Sequence, residues 1–174
     1  MTRVARICAW CKAAMGTVEG SFDARYPVTH GICERCAHAL AENMGLKSFQ
    51  EFLDGLEIPV LLLDNDVRVL AANRQAKDAL GKELPKIVGY KSGDVIECRY
   101  ARVSGGCGNT VHCRGCTIRN SVAKTHLTGE PCLGVPAYPD VQVGAEVKTL
   151  RLKITTEKVG DCVLMRIDEI HAPG

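Results

Sequence analysis

Ten cysteines in 174 residues are the residues most able to do chemistry in this chain. They fall at positions 8, 11, 33, 36, 98, 107, 113, 116, 132 and 162. The first four read Cys8-Ala-Trp-Cys11 and Cys33-Glu-Arg-Cys36. A Cys-x-x-Cys turn presents two thiolates to one side of a metal ion. Two such turns close a tetrahedron with no open position, which is the chemistry of a structural zinc site. The spacing predicts zinc at Cys8, Cys11, Cys33 and Cys36. His30 precedes Cys33 by three residues, but four thiolates already fill the shell. It reads as a neighbouring or turn residue, with Gly31 expected to supply backbone freedom for the second turn.

Cys98, Cys107, Cys113 and Cys116 form a second group that includes one further knuckle, Cys113-Arg-Gly-Cys116. Gly105, Gly106 and Gly108 surround Cys107 and allow backbone N–H groups to approach sulfur, which favours thiolate-bound metal. A second metal site is expected there. Zinc leads because it needs no assembly machinery, and a [4Fe–4S] or [2Fe–2S] cluster is the rival. The alternative is a thiol–disulfide oxidoreductase using Cys113 and Cys116, whose place ahead of a helix would lower their pKa values. That reading leaves Cys98 and Cys107 without a part. No Cys-x-x-Cys-His haem motif is present. Cys132 and Cys162 lie among apolar strand residues and read as packing thiols.

The composition is that of a globular chain, with 46% hydrophobic and 24% charged residues. A net charge of +2, with basic and acidic residues balanced on both sides of Leu56, disfavours a nucleic-acid or membrane-surface role. No apolar run approaches the length of a membrane span, and the N-terminus lacks the apolar core of a secretory signal. A cytoplasmic, reducing setting is therefore expected, in which structural disulfides are rare. No Ser-His-Asp set, motif of paired carboxylates or phosphate-binding glycine loop is present, so the chain is not read as an enzyme.

The elements that must position these cysteines follow from periodicity. Ala37, Leu40, Ala41 and Met44 recur at helical spacing up to Gly45. Ser48-Phe49-Gln50-Glu51 reads as a capping box ahead of a stripe formed by Phe49, Phe52, Leu53 and Leu56. That stripe either packs on the domain's own sheet or forms a homodimer interface through residues 48–57. Pro59–Leu63 and Val67–Ala71 are strands joined by Asp64-Asn65-Asp66, a hairpin. Asn73 caps a helix over 74–80 that Gly81 closes. A helix over 117–127 ends at Gly129. Strands at Leu150–Thr155 and Val163–Ile167 flank a Gly160-Asp161 turn.

In this order, residues 58–81 resemble the opening of a PAS domain, and Leu150–Thr155 with Val163–Ile170 are similar to its last two strands. The stretch from Gly93 through Cys98, Cys107, Cys113 and Cys116 resembles a cysteine-rich PAS variant of bacterial signalling proteins. The Cys8–Cys36 segment resembles a short zinc-finger-like element that accompanies sensor kinases and response regulators. The resemblance implies an α+β fold, with a PAS-like antiparallel five-stranded sheet carrying helices on one face, preceded by a small metal-stapled element. It also implies sensing and relay to a partner. The chain lacks the Asn-Cys-Arg-Phe motif of flavin-binding relatives, and its 5% aromatic content offers little to sandwich a flavin. His126 lies where haem-binding relatives place a helical histidine, and with Ile118 and Val122 it is positioned to face inward. A lone helical histidine is more often an ordinary core or surface residue.

The expected organisation is a zinc-finger-like element at 1–45, an amphipathic linker helix at 46–57, and a PAS-like sensory domain at 58–171 with its cysteine-rich insert at 98–116. The expected function is a cytoplasmic bacterial sensor module that binds metal through two four-cysteine sites. It relays a redox, metal or small-ligand signal to a separate partner such as a sensor kinase or regulator. An inert zinc-stapled interaction adaptor is the remaining alternative. The chain ends near the close of the PAS-like sheet, so no output domain is expected within it.

Overall fold

A computed structural model describes residues 2–9, 11–20, 28–36 and 46–171. The helix expected over 37–44 lies outside the described residues. Two compact units are present, Met1–Phe52 and Leu53–Gly174.

The first unit is a three-stranded sheet in the order β2-β1-β3, formed by β1 (Thr2–Cys8), β2 (Ala14–Gly20) and β3 (Val28–Gly31). Strands β1 and β2 are antiparallel, whereas β1 and β3 run parallel with Cys8 opposite Gly31. Gly31 is thus a paired strand residue and not the loose hinge expected of it. The backbone freedom sits instead at Lys12, with φ +60° in the first knuckle. The sequence gives little warning of these strands, because among their described residues only Val4, Cys8, Thr29 and Gly31 are buried. The helix α1 spans Leu46–Asp54. It starts two residues ahead of Ser48, which places Ser48 inside the helix and not at its cap. Phe52 and Leu53 from its apolar stripe are buried within the single chain.

The second unit is built on a five-stranded antiparallel sheet. Its strands are β4 (Val60–Leu63), β5 (Val69–Ala72), β6 (Cys132–Ala137), β9 (Arg151–Val159) and β10 (Cys162–His171), in the order β5-β4-β10-β9-β6. Counted within this sheet, the order is second, first, fifth, fourth, third. Val163, Met165 and Ile167 alternate into the core, as the period of two requires. The alternation expected over Leu150–Thr155 fails at its end, since Ile154, Thr155, Thr156 and Glu157 are all buried. Thr155 reconciles this by donating to Asp168 Oδ2 at 2.6 Å and accepting from Gly134 N at 2.9 Å.

Helix α2 (Arg74–Leu80) follows the first hairpin, α3 (Ser92–Val95) opens the insert, and α4 (Thr117–Thr128) closes it. Gly81 and Gly129 end α2 and α4 in the left-handed conformation, as the sequence predicts. Helix α4 turns Ile118, Ser121, Val122 and Thr125 inward. A small hairpin, β7 (Asp140–Val143) with β8 (Glu146–Thr149), was not expected from periodicity. It hooks the insert, because Cys98 bridges Val141 and Gln142 N donates to Glu97 O at 2.8 Å.

Asn73 is the fully buried junction of this unit. Its Oδ1 accepts from Val60 N and Ala76 N, both at 2.9 Å. Its Nδ2 donates to the carbonyls of Leu53, Leu56 and Ile58 at 3.1, 3.2 and 2.7 Å. One side chain thus caps α2, fixes the start of β4 and holds the end of the linker.

Asn73→Ala is expected to cost about 3 kcal/mol or more, because it orphans several buried backbone groups as well as removing the cap. Urea denaturation checks this, and a cost below about 1 kcal/mol, the size of a cap alone, overturns the junction role. Glu97, which pairs with Lys82 and Arg102, has its carboxyl held below the usual range chiefly by the Lys82 ammonium. A lowered folded pKa contributes stability above the unfolded value, and that contribution fades as pH falls through the folded one. The stability difference between the parent and Glu97→Gln is therefore expected at neutral pH and should vanish on acidification below the normal glutamate range.

Candidate metal centres and the insert cavity

The parallel pairing of β1 with β3 brings the two N-terminal knuckles to the same end of one sheet. Ala9 N donates to Gly31 O at 2.7 Å, and Cys33 N approaches Cys8 Sγ at 3.5 Å. The first knuckle is closed by Lys12 N to Cys8 O at 2.9 Å and Cys8 N to Ala13 O at 2.8 Å. The sulfurs of Cys8, Cys11, Cys33 and Cys36 all lie within 4.8 Å of one another, and Cys11 and Cys33 are 3.7 Å apart. Four thiols this close can hold a metal ion. His30 lies on β3, exposed and outside this group.

Burial and mutual contact shift two thiols of the quartet in opposite directions. Cys36 is buried, and desolvation together with hydrogen bonding to the neighbouring thiols pushes its pKa up to about 12. Cys11 is shifted the other way, first by the backbone N–H of Ala13 and then by Cys36. Arg35 lies beside Cys11 and is drawn further toward its charged form by it. Its guanidinium supplies positive charge next to the thiolates that a bound ion would leave in excess.

The insert cysteines are arranged differently. Cys98, Cys107, Cys113 and Cys116 all line one cavity of about 310 Å³, together with the inward face of α4 at Ile118. Among the described residues, no other three Cys, His, Asp or Glu ligand atoms gather within 4.8 Å as the N-terminal quartet does. The four insert cysteines therefore line one cavity without their sulfurs gathering as a set. Burial is the largest influence on Cys98 and Cys107 and raises both thiols, and the charges of Cys113 and Cys116 add to it. Cys113 is opposed by burial but is lowered on balance. Thr110 Oγ1 and Gly108 N each lie 3.2 Å from its sulfur, and Arg119 adds positive charge.

Backbone glycines allow this packing. A Cβ at Gly93 would sit 2.6 Å from Cys107 Sγ, so α3 can lie over Cys107 only with glycine there. Gly108, at φ +92°, leaves room for Arg119, whose Nη1 would be 2.5 Å from an added Cβ. Arg119 also meets Asp66 at 3.1 Å, and Lys91 bridges Asp66 at 2.8 Å and Cys107 O at 3.1 Å. This network ties the β4–β5 turn to the insert and to α4. Sequence spacing did not reveal it, because its members lie far apart along the chain. Tyr100 stacks on His112 at 4.0 Å on the same cavity wall.

His126 does not face the cavity. Its Nε2 lies 3.1 Å from Asp161 O, and Thr125 takes the inward position, 2.7 Å from Thr156 Oγ1. Cys132 opens β6 and is half-buried against α4, where Thr125 Oγ1 lies 3.6 Å from its sulfur. Cys162 opens β10, with burial raising its thiol. No helix among the described residues is long and apolar enough to cross a membrane.

No family model and no curated protein matches the chain. Solved structures similar to it include the PAS domain of BvgS from Bordetella pertussis, 15% identical, with 73% of this chain and 88% of that one covered and a TM-score of 0.42. The PAS domain of nitrogen regulation protein NR(II) from Vibrio parahaemolyticus is 14% identical, with 73% and 100% covered and a TM-score of 0.45. A domain of a sensory box sensor histidine kinase/response regulator from Geobacter sulfurreducens is 12% identical, with 71% and 92% covered and a TM-score of 0.46. The chain's own strand order and helices define its architecture. It is an α+β protein with a PAS-like five-stranded antiparallel sheet, a cysteine-lined insert and an N-terminal cysteine cluster.

Proposed function

We propose that the chain is a non-enzymatic signalling module in which the PAS-like unit senses through the cysteine-lined insert and passes the change to a separate protein. The observation that carries this reading is the convergence of Cys98, Cys107, Cys113 and Cys116 on one cavity against the inward face of α4. A change at those sulfurs reaches the β4–β5 turn through Arg119, Lys91 and Asp66. From that hairpin, the hydrogen bonds of Asn73 lead to the carbonyls of Leu53 and Leu56 at the end of the linker. The linker helix is then the element a partner such as a sensor kinase or regulator reads. The reading keeps the chain in a reducing cytoplasm, where thiols stay available to metal.

The N-terminal quartet is assigned zinc. Zn–S bonds of about 2.3 Å in a tetrahedron put the sulfurs about 3.8 Å apart, and the 3.7 Å between Cys11 and Cys33 supports that geometry. A unit this small gains its fold from such an ion, since metal binding free energy is folding free energy.

Zinc analysis of the purified full chain should find about one ion that depends on the N-terminal quartet. Cys36→Ser should lose that ion together with hydrogen-exchange protection of β1 and β3. Full zinc retention in the variant overturns the assignment. For the relay, exchange at residues 46–57 should change when the insert thiols are alkylated, and should cease to change in Asn73→Ala. An unchanged linker in the parent chain overturns the relay. Turnover of a disulfide substrate that requires Cys113 and Cys116 overturns the non-enzymatic reading.

A further inference from the structure

The two quartets of this chain provide an internal comparison of sulfur geometry. A mononuclear site needs every sulfur about 3.8 Å from the others, because all four bond the same ion at about 2.3 Å. The N-terminal sulfurs have gathered within 4.8 Å with one edge already at 3.7 Å. The insert sulfurs have not, although their four residues line a common cavity of about 310 Å³. To hold a single zinc ion, the insert would have to contract onto a point. Short-range packing opposes that contraction, because Cys107 is wedged against Gly93 and Cys98 is held in a bridge to Val141.

Sulfurs spread around a common volume suit a polynuclear cofactor, in which each thiolate bonds its own metal atom. From this we infer that Cys98, Cys107, Cys113 and Cys116 bind a [4Fe–4S] cluster, one thiolate to each iron, within the insert cavity. The inference rests on the reading of the insert as the sensory metal site and names its cofactor. A [2Fe–2S] cluster fits less well, because it places two thiolates on each iron as touching pairs. Cys113 takes its contacts from Gly108 and Thr110, not from another thiol.

The surroundings have the character such a cluster needs. Four thiolates on a [4Fe–4S] core of charge +2 leave an excess of about two negative charges, which N–H···S bonds and nearby cations stabilise. Gly108 N is 3.2 Å from Cys113 Sγ, and the Thr110 hydroxyl is equally close. Arg119 lines the same cavity, and Lys91 holds the carbonyl of Cys107. Ile96, Ile118 and Ala137 supply the apolar part of the wall.

The test is anaerobic reconstitution of the full chain with equal amounts of ferric and ferrous iron and with sulfide, followed by iron, sulfide and zinc analysis and a visible spectrum. About four iron and four sulfide per chain, with broad visible absorption beside one retained zinc, are expected. Cys107→Ser should lose the iron and the absorption while keeping the N-terminal zinc, which reports that the variant is folded there. Cys162→Ser should keep both centres in full. Two zinc ions and no iron overturn the cluster but leave the insert as a metal site. About two iron per chain overturn the four-iron form. Neither metal at the insert overturns the cluster and the metal-sensing reading together.

Discussion

The buried amide of Asn73 is the constraint on which the second unit depends. An Asn side chain offers two donor hydrogens and one acceptor oxygen, and here all are used on backbone groups from separate places in the chain. Each of those backbone groups would carry a desolvation penalty if left alone in the interior. Satisfying them with one side chain sets where the linker ends, where the first strand begins and where α2 starts. The sheet is then assembled outward from that hairpin, with β10 pairing along β4 and β9 along β10. The insert is anchored from two directions. The Asp66 turn holds it through Lys91 and Arg119, and the β7–β8 hairpin holds Glu97 and Cys98.

The cysteines divide by the kind of order that surrounds them. In the first unit, two parallel strands end side by side, so two short knuckles meet with almost no intervening chain to arrange. A small ion fits such a place, because the backbone has already brought the sulfurs together. In the insert, no regular element spans the four positions. Short helical turns, left-handed glycines and contacts with α3 and α4 distribute the sulfurs around a cavity. The two sets of four cysteines thus differ in how closely their sulfurs gather.

Much of this architecture was legible in the sequence. The Asn73 cap, the Gly81 and Gly129 stops, the first hairpin and the last two strands are local signals, written in residues a few positions apart. The β1–β3 sheet and the β7–β8 hairpin were not legible. Their apolar residues are few, and each strand gains its stability from a partner elsewhere. His126 takes its outward place for a related reason. Helical periodicity gives a face only to within a residue, and the hydroxyl of Thr125 met Thr156 in the core while the imidazole went to Asp161 O.

By itself the sequence determined the inventory and the local punctuation: four thiols in double-knuckle spacing, four in the insert, and the caps and turns that fix the order of elements. Knuckle spacing is a short-range property, since the residues between the two cysteines define the turn that aims them. The separation of sulfurs that lie far apart in the chain is a long-range property. Only the tertiary structure decided that the N-terminal sulfurs gather within 4.8 Å of one another while the insert cysteines line a cavity without gathering so closely. The physical reason is strand pairing in one unit and the wedging of Cys107 against Gly93 in the other.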